Sequence, residues 1–296
     1  MAALLYIATY CSLATFAIGC LWRAWQYAKL PVHLRWELYP VPHEPSPRAA
    51  HGGSYFEESE WWTKARRLNR AGEFAAMMRE IFLLETVRKA KPSLWWRSQL
   101  FHSGVFLMIA AIGFEAAGAM AETTRLAFTG RIVGFAGLLL LLTGSLLLLW
   151  RRISDAEMRD YTHPADVVHL VALAIAATLL LAGSLNPKAP GILHFARAAV
   201  SFDTGLKVPA ILAAGMFLSA ALVAYVPFSR MAHFIGKYFG YHAVRWDDRP
   251  NRGGKLGRAL ANNLELKPTW SASHIGADGR KNWAEIGTGD PPEVRR

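Results

Sequence analysis

The chain has 296 residues, 53% of them hydrophobic, and carries 33 Lys and Arg against 22 Asp and Glu. Length alone would admit one or two water-soluble domains, but the order of the residues excludes them. With two cysteines, Cys11 and Cys20, there is no disulfide framework, no structural zinc site and no four-cysteine iron–sulfur cluster.

Five runs are nearly uncharged and about 18–21 residues long: Ala2–Leu21, Leu100–Met120, Ile132–Leu149, Val167–Leu185 and Val208–Val226. That is the length and polarity a helix needs to cross about 30 Å of hydrocarbon. The fold class expected is therefore all-α, a polytopic bundle of five transmembrane helices. The first run is followed, not preceded, by positive charge (Arg23, Lys29), which fits an uncleaved helix rather than a signal peptide.

The connecting segments differ sharply in charge. Trp22–Gln99, Trp150–Asp166 and the tail from Phe228 hold 13, 3 and 12 Lys/Arg, whereas Ala121–Arg131 and Asn186–Lys207 hold two and three. Positive residues gather on the cytoplasmic side of membrane proteins. This pattern predicts an N-terminus outside, a large cytoplasmic first loop and a cytoplasmic C-terminal tail. The basic surplus is thus topology and attraction to anionic membrane lipid, not nucleic-acid binding. The organisation read from it is helix one at 1–27, loop at 28–98, helices two to five within 99–229, and a partner-binding tail at 230–296.

Within the first loop, Leu30–Pro47 is rich in proline and aromatics and reads as extended. Phe74, Met77, Met78, Ile81, Phe82 and Leu84 then fall near helical spacing among charged residues, predicting an amphipathic helix that lies flat on the membrane or on a partner. Pro92 ends it, and Trp95–Trp96 stand at an aromatic-belt position. A short interfacial helix is expected at Gly191–Phe202. The tail beyond Arg249, without a continuous apolar pattern, reads as extended or disordered in isolation.

Polar side chains in a bilayer are functional candidates. His102, His169 and His233 sit at the same ends of helices two, four and five, hence at one depth near the cytoplasmic face. Spacing alone leaves two readings open: solvated or capping helix-end residues, or ligands of one haem held between facing helices. Gly104, close to His102, would let a flat macrocycle approach.

Four segments carry a resemblance: Leu34-Arg35-Trp36-Glu37-Leu38-Tyr39-Pro40-Val41-Pro42-His43-Glu44; Tyr55-Phe56-Glu57-Glu58-Ser59-Glu60-Trp61-Trp62; Leu100-Phe101-His102-Ser103-Gly104; and Pro227 through Tyr241-His242-Ala243-Val244-Arg245-Trp246-Asp247-Asp248. Together they resemble the membrane cytochrome b family typified by the respiratory nitrate reductase gamma subunit. The nearest likeness is to the Dsr and Hme/Tmc-type and hydrogenase-associated subunits. The resemblance covers the chain to about Asn251. It implies two histidines about ten residues apart on helix two and two about eighteen apart on helix five, holding two stacked haems b. His102 and His233 match the inner pair. The outer pair would fall at Ile112 and Gly215, and ten residues are about 15 Å of helix, beyond any rotamer of His102. The resemblance therefore implies one haem b with His102 and His233 as iron ligands; His194 would help a second only if its segment folds inward.

His169 is a rival ligand or a propionate contact. Arg230, one turn before His233, is a propionate candidate, and Arg151 and Arg152 are positive-inside anchors first and propionate contacts second. Glu115 is either a proton-handling group at a quinone or a neutral, hydrogen-bonded carboxyl. Trp61–Trp62 and Glu57, Glu58 and Glu60 read as packing and capping residues.

The function these readings imply is a b-type cytochrome subunit in a bacterial or archaeal inner membrane. It would pass electrons between a quinone (menaquinone or ubiquinone) and a cytoplasm-facing iron–sulfur subunit resembling heterodisulfide reductase. It would serve as an electron-transfer subunit of an oxidoreductase complex, with quinol/quinone oxidoreductase activity as the open alternative. The alternatives are a nitrate reductase gamma subunit and a haem-free membrane anchor.

Overall fold

The computed structural model describes residues 1–30, 57–64, 69–121, 123–247, 249, 253–272 and 275–289. The Leu34–Glu44 motif, Tyr55, Phe56 and the extended reading of 31–47 lie outside them. The chain divides into two units, one formed by Met1–Trp22 with Phe74–His233, the other by Arg23–Glu73 with Phe234–Arg296.

The first unit is a helical bundle. Its long helices are α1 (Ala2–Ala28), α4 (Pro92–Met120), α5 (Thr124–Ser154), α7 (Pro164–Ser184) and α9 (Ala210–Tyr225), with α9 running on through a 3-10 turn at Val226–Phe228. All five are long and apolar enough to cross a membrane, so the protein is multi-pass. Large apolar side chains such as Ile109, Leu139, Leu146 and Ile175 stay exposed on them. A bundle in water would hide these residues, whereas in lipid they cost nothing.

Association inside a bilayer relies on close packing rather than on apolar burial. On α5, Gly130, Gly137 and Gly144 recur every seven residues along the face toward α4. A Cβ on Gly144 would stand 2.6 Å from Cα of Phe101, and one on Gly137 3.0 Å from the backbone nitrogen of Met108. Gly104 meets the same face: its Cβ would lie 2.8 Å from Cα of Leu141. The space beside His102 that the sequence reading reserved for a macrocycle is therefore filled on this side by the α5 backbone. Helix α7 packs on both α5 and α9, where Leu138, Ala177 and Leu181 form a buried cluster with Met108, Leu141, Leu142 and Leu180 around it.

Helix α1 is fixed at two points. Gly19 lets it approach Pro227. Tyr6, fully buried, packs with Ala198 and Ala199 of α8 (Ile192–Val200) and donates from its hydroxyl to the Asp203 carbonyl at 2.7 Å. The short helix expected at Gly191–Phe202 is α8.

The apolar pattern before the second span forms two helices, α2 (Arg70–Leu83) and α3 (Glu85–Ala90), broken at Leu84, whose φ of 46° is left-handed. Glu80 is buried at the break and accepts the Thr86 backbone N–H at 2.9 Å. A helix leaves its last carbonyls without partners, and α4 supplies them: Trp95 Nε1 donates to the Leu83 carbonyl at 2.7 Å and Gln99 Nε2 to that of Phe82 at 2.8 Å. Trp95 thus closes α2 and stands in the first turn of α4, which begins eight residues earlier than the apolar run suggested. A short α6 (Ala156–Asp160), capped by Asp155, links α5 to α7.

In the second unit, Trp61–Thr63 form a 3-10 turn with Glu58 and Lys64 paired across it. Helix α10 (His233–Phe239) passes from the first unit into this one and runs on into a π-helical segment, Gly240–Arg245, which brings Trp246 against Tyr241 and His242. The tail departs from the sequence reading. It holds α11 (Gly254–Leu264), a two-stranded antiparallel hairpin of β1 (Ser271–Ala272) and β2 (Ala277–Asp278), and α12 (Trp283–Thr288). These elements are stabilised locally, not by a long apolar stripe. Asn282 and Glu285 form a reciprocal cap on α12, and Trp270 packs edge-on to Trp283 at 5.9 Å. The Asp278 carboxylate accepts the backbone N–H groups of Lys281 and Arg280, which hold it below its ordinary pKa.

Candidate functional site

At the end of the bundle where α4 and α7 begin and α5 and α9 finish, His102 and His233 come together. Their ring centroids are 6.1 Å apart and their planes 78° from parallel. Nδ1 of His102 lies 2.7 Å from the Ser98 carbonyl, and Nδ1 of His233 lies 3.3 Å from the Arg230 carbonyl. A carbonyl can only accept, so in each ring Nδ1 donates the proton. Each imidazole is thereby oriented with Nε2 as the nitrogen able to bind a metal. Helix geometry produces the first of these bonds, since the Ser98 carbonyl lies one turn below His102. The second arises from the 3-10 turn at Arg230–Ala232, which ends at His233.

Asp166 organises the same end. It is buried, and its Oδ2 accepts from Arg230 Nη1 at 3.1 Å, Arg152 Nη1 at 3.5 Å and the His163 backbone N–H at 3.2 Å. The last of these belongs to a cap at the start of α7, where His163 and Asp166 bond each other's backbone. One carboxylate thus ties the start of α7 to the end of α5 and to the turn that presents His233. Arg230 therefore has a protein partner where the sequence reading offered it a propionate. Arg152 is held by Asp166 and Thr162. Arg151 is buried and reaches Ser93 of α4 at 3.3 Å and Asp155 at 3.5 Å. Both arginines have partners within the fold.

His169 is 7% exposed and does not join the pair. Its ring packs 5.0 Å from that of Tyr225, and the two line a groove of about 430 Å³ with Ala165, Val168, Leu218 and Leu222.

The other end of the bundle holds the remaining candidates. Glu115 is 4% exposed on α4. A Cβ placed on Gly191 would lie 3.6 Å from its Oε2 and 3.1 Å from Nη2 of Arg131, so carboxylate and guanidinium flank one glycine. Ile112 is 52% exposed, and Gly215 is buried against Leu179 and Leu180 of α7. His194 stands exposed on α8, a helix that packs on α4 and against Tyr6 of α1.

Asp166 and Tyr225 are the residues that sequence reasoning passed over. Each is a polar residue at the end of an apolar run, at helical spacing from a histidine already singled out. Among the described residues no three His, Cys, Asp or Glu side chains gather as a site for a bare metal ion.

Residues 87–247 match the family model described as nitrate reductase gamma subunit, which is more than half of the chain. None of the curated proteins matches it.

Proposed function

Because the chain belongs to the nitrate reductase gamma-subunit family, a family of membrane subunits of redox complexes, we propose that it is the electron-transferring cytochrome subunit of such a complex, binding one haem b through His102 and His233. The observation that carries this reading is the histidine pair. Two imidazoles joined to one metal through Nε2, with bonds of about 2 Å and centroids roughly 1 Å beyond each nitrogen, have centroids about 6 Å apart. The 6.1 Å found here fits that requirement, and so do the ring orientations imposed by the two backbone carbonyls.

A haem held there supplies one-electron redox chemistry. The protein residues do the rest. Ser98 and Arg230 orient the ligand rings through their carbonyls, as outer partners of metal-binding histidines commonly do. Asp166 anchors the turn that presents His233. The Arg230 guanidinium, largely exposed beyond its contact with Asp166, is the group available to a haem carboxylate.

With the basic segments on the cytoplasmic side, the pair lies near the inner face, where an iron–sulfur subunit would dock. Quinone in the bilayer would be the other redox partner. The family match favours a nitrate reductase gamma-type subunit as the general class. The narrower association with a heterodisulfide-reductase-like partner draws on Ile112 and Gly215, which stand where the two-haem pattern has ligands.

The test is a reduced-minus-oxidised spectrum of the purified protein with haem counted per chain, repeated on His102→Ala, His233→Ala and His169→Ala. One haem per chain, lost in the first two variants and kept in the third, is expected. A colourless protein would leave only a membrane anchor. Two haems would show that the other end of the bundle binds one as well.

A further inference from the structure

The start of α4 holds a group of donors that the haem reading leaves unused. Ser93 stands exposed in the first turn, and two guanidiniums converge on it. Arg151 Nη1 reaches its hydroxyl at 3.3 Å from α5, and Arg97 Nη1 donates to its carbonyl from one turn along α4. Both guanidiniums keep donors to spare. Nε of Arg97 and Nε of Arg151 are sealed from solvent, and neither makes a hydrogen bond. The Arg151 side chain is only 9% exposed, and its Nε faces Asp155 Oδ2 at 3.5 Å, an ionic contact whose geometry falls short of a hydrogen bond. An unsatisfied buried donor costs about 1–3 kcal/mol, and more when it is charged, so these groups call for an acceptor.

Charge and placement select the ligand. Among the described residues Asp155 is the carboxylate paired with this group, through Arg151, and it also accepts the Met158 N–H as the cap of α6. Two guanidiniums against one carboxylate leave a positive balance. The start of a helix adds open N–H groups and partial positive charge; those of Leu94 and Trp95 turn back to the Lys91 carbonyl, whereas that of Ser93 has no partner among the described residues. A phosphate supplies the missing charge and several acceptor oxygens, and guanidiniums bind it in paired hydrogen bonds. A haem carboxylate does not fit. Ser93 and His102 are nine residues apart, about two and a half turns, and so lie on opposite sides of α4. Ser93 shares instead the side of Gly104, about three turns on, which packs against the α5 backbone. Trp95 and Trp96 follow it at an aromatic-belt position, and α5 exposes Leu146, Trp150 and Ile153 around Arg151. The donors thus sit at headgroup level beside an apolar wall.

We propose that Arg97, Arg151 and Ser93 hold a phosphate group, that of an anionic phospholipid whose acyl chains lie along the exposed apolar side chains of α5. Inorganic phosphate offers the same chemistry from solution. The site stands apart from the histidine pair and does not depend on it. An anion shared by Arg97 of α4 and Arg151 of α5 ties the two helices together at the headgroup, beyond the last of their close glycine contacts at Gly144.

The test uses the full-length protein, delipidated in detergent, with dioleoyl phosphatidylglycerol, dioleoyl phosphatidylcholine and inorganic phosphate as probes. Native mass spectrometry counts retained lipid, and the melting temperature follows added phosphate. Phosphatidylglycerol is expected to bind more tightly than phosphatidylcholine. Arg97→Gln and Arg151→Gln should each weaken it about tenfold, the value of one charge-assisted hydrogen bond, with Arg97→Gln deciding the matter if the buried Arg151 cannot be replaced without unfolding. Arg88→Gln, which removes an exposed cation of α3, should leave the binding unchanged. If the two lipids bind alike and inorganic phosphate raises the melting temperature of the parent but not of Arg97→Gln, the same donors take their phosphate from solution, and the site stands. Equal weakening by Arg88→Gln would reduce the binding to general attraction by basic residues and overturn the site, as would a parent that binds neither phosphatidylglycerol nor phosphate. Loss of haem from Arg97→Gln with phosphatidylglycerol binding unchanged would give the donors to a haem carboxylate and overturn it as well.

Discussion

The glycines of α5 offer a graded test of the packing that holds His102. A methyl group at position 144 would lie 2.6 Å from Cα of Phe101, whereas ordinary contact begins at 3.4 Å. The shortfall is roughly 0.8 Å against backbone, which cannot swing aside as a side chain can, and the residue pushed is next to His102. Overpacking costs about 1–3 kcal/mol, offset by the ~1 kcal/mol that alanine gains over glycine within a helix. Gly144→Ala should thus destabilise by up to about 2 kcal/mol and disturb the approach of His102 to His233. At Gly137 the nearest atom is at 3.0 Å, so Gly137→Ala should be close to neutral. At Gly113 on α4 nothing lies within 4 Å, and Gly113→Ala should stabilise by about 0.5–1 kcal/mol. Mixed-micelle denaturation would rank the three, and the absorbance of the proposed haem would report on the histidine pair. If Gly144→Ala were as stable as Gly113→Ala, with an unchanged spectrum, the close approach of α4 and α5 would not be what positions His102.

Glu85, outside the spans, is hydrogen-bonded by Lys89, which holds its carboxyl below the ordinary value against a push upward from partial burial, with Arg79 adding to the lowering. Its contribution to the α2–α3 segment is therefore complete above the unfolded carboxylate pKa and is lost as pH falls through the lower folded value. Both basic partners are mostly exposed, so only about 0.5 kcal/mol is at stake; amide exchange across 79–91 should quicken in that acid range, and Glu85→Gln should remove the dependence. Tyr6→Phe deletes a buried hydroxyl bond to the Asp203 carbonyl. It should cost about 1 kcal/mol, seen as faster exchange at 198–206, while the spectrum of the proposed haem stays the same.

The five spans were legible in the sequence because apolar length is a property of the chain alone. The site was legible in part, because helix ends at one depth bring His102 and His233 near each other by topology. The pairing of Asp166 with Arg152 and Arg230 was not, since it depends on how three helix ends meet. The same holds for Gly104, whose missing side chain is used by α5 instead of a cofactor; sequence shows that a glycine makes space but not what occupies it. The tail was misread in two ways: Leu256, Ala259, Leu260 and Leu264 do stand at helical spacing, whereas the reciprocal cap and the Trp–Trp contact that hold α12 leave no periodic pattern.

The two ends of the bundle differ in what their small residues do. The resemblance places a second pair of ligands at positions 112 and 215. Ile112 faces outward, exposed, as a lipid-facing residue would be. At 215 a Cβ would already stand 3.0 Å from the Leu180 backbone nitrogen and 3.1 Å from the Leu179 Cβ. A histidine there would have to push α7 off α9, so the glycine is required by the packing of those helices and is more than a lost ligand. Nearby, Gly183 lets Leu212 approach to a separation at which a Cβ would meet its Cα at 2.6 Å. Close helix packing thus fills the interval between α7 and α9 at that end. Toward the other end the same two helices part around His169 and Tyr225. Redox chemistry in this subunit is therefore expected at one face of the membrane, with the opposite half of the bundle serving to hold the helices in register.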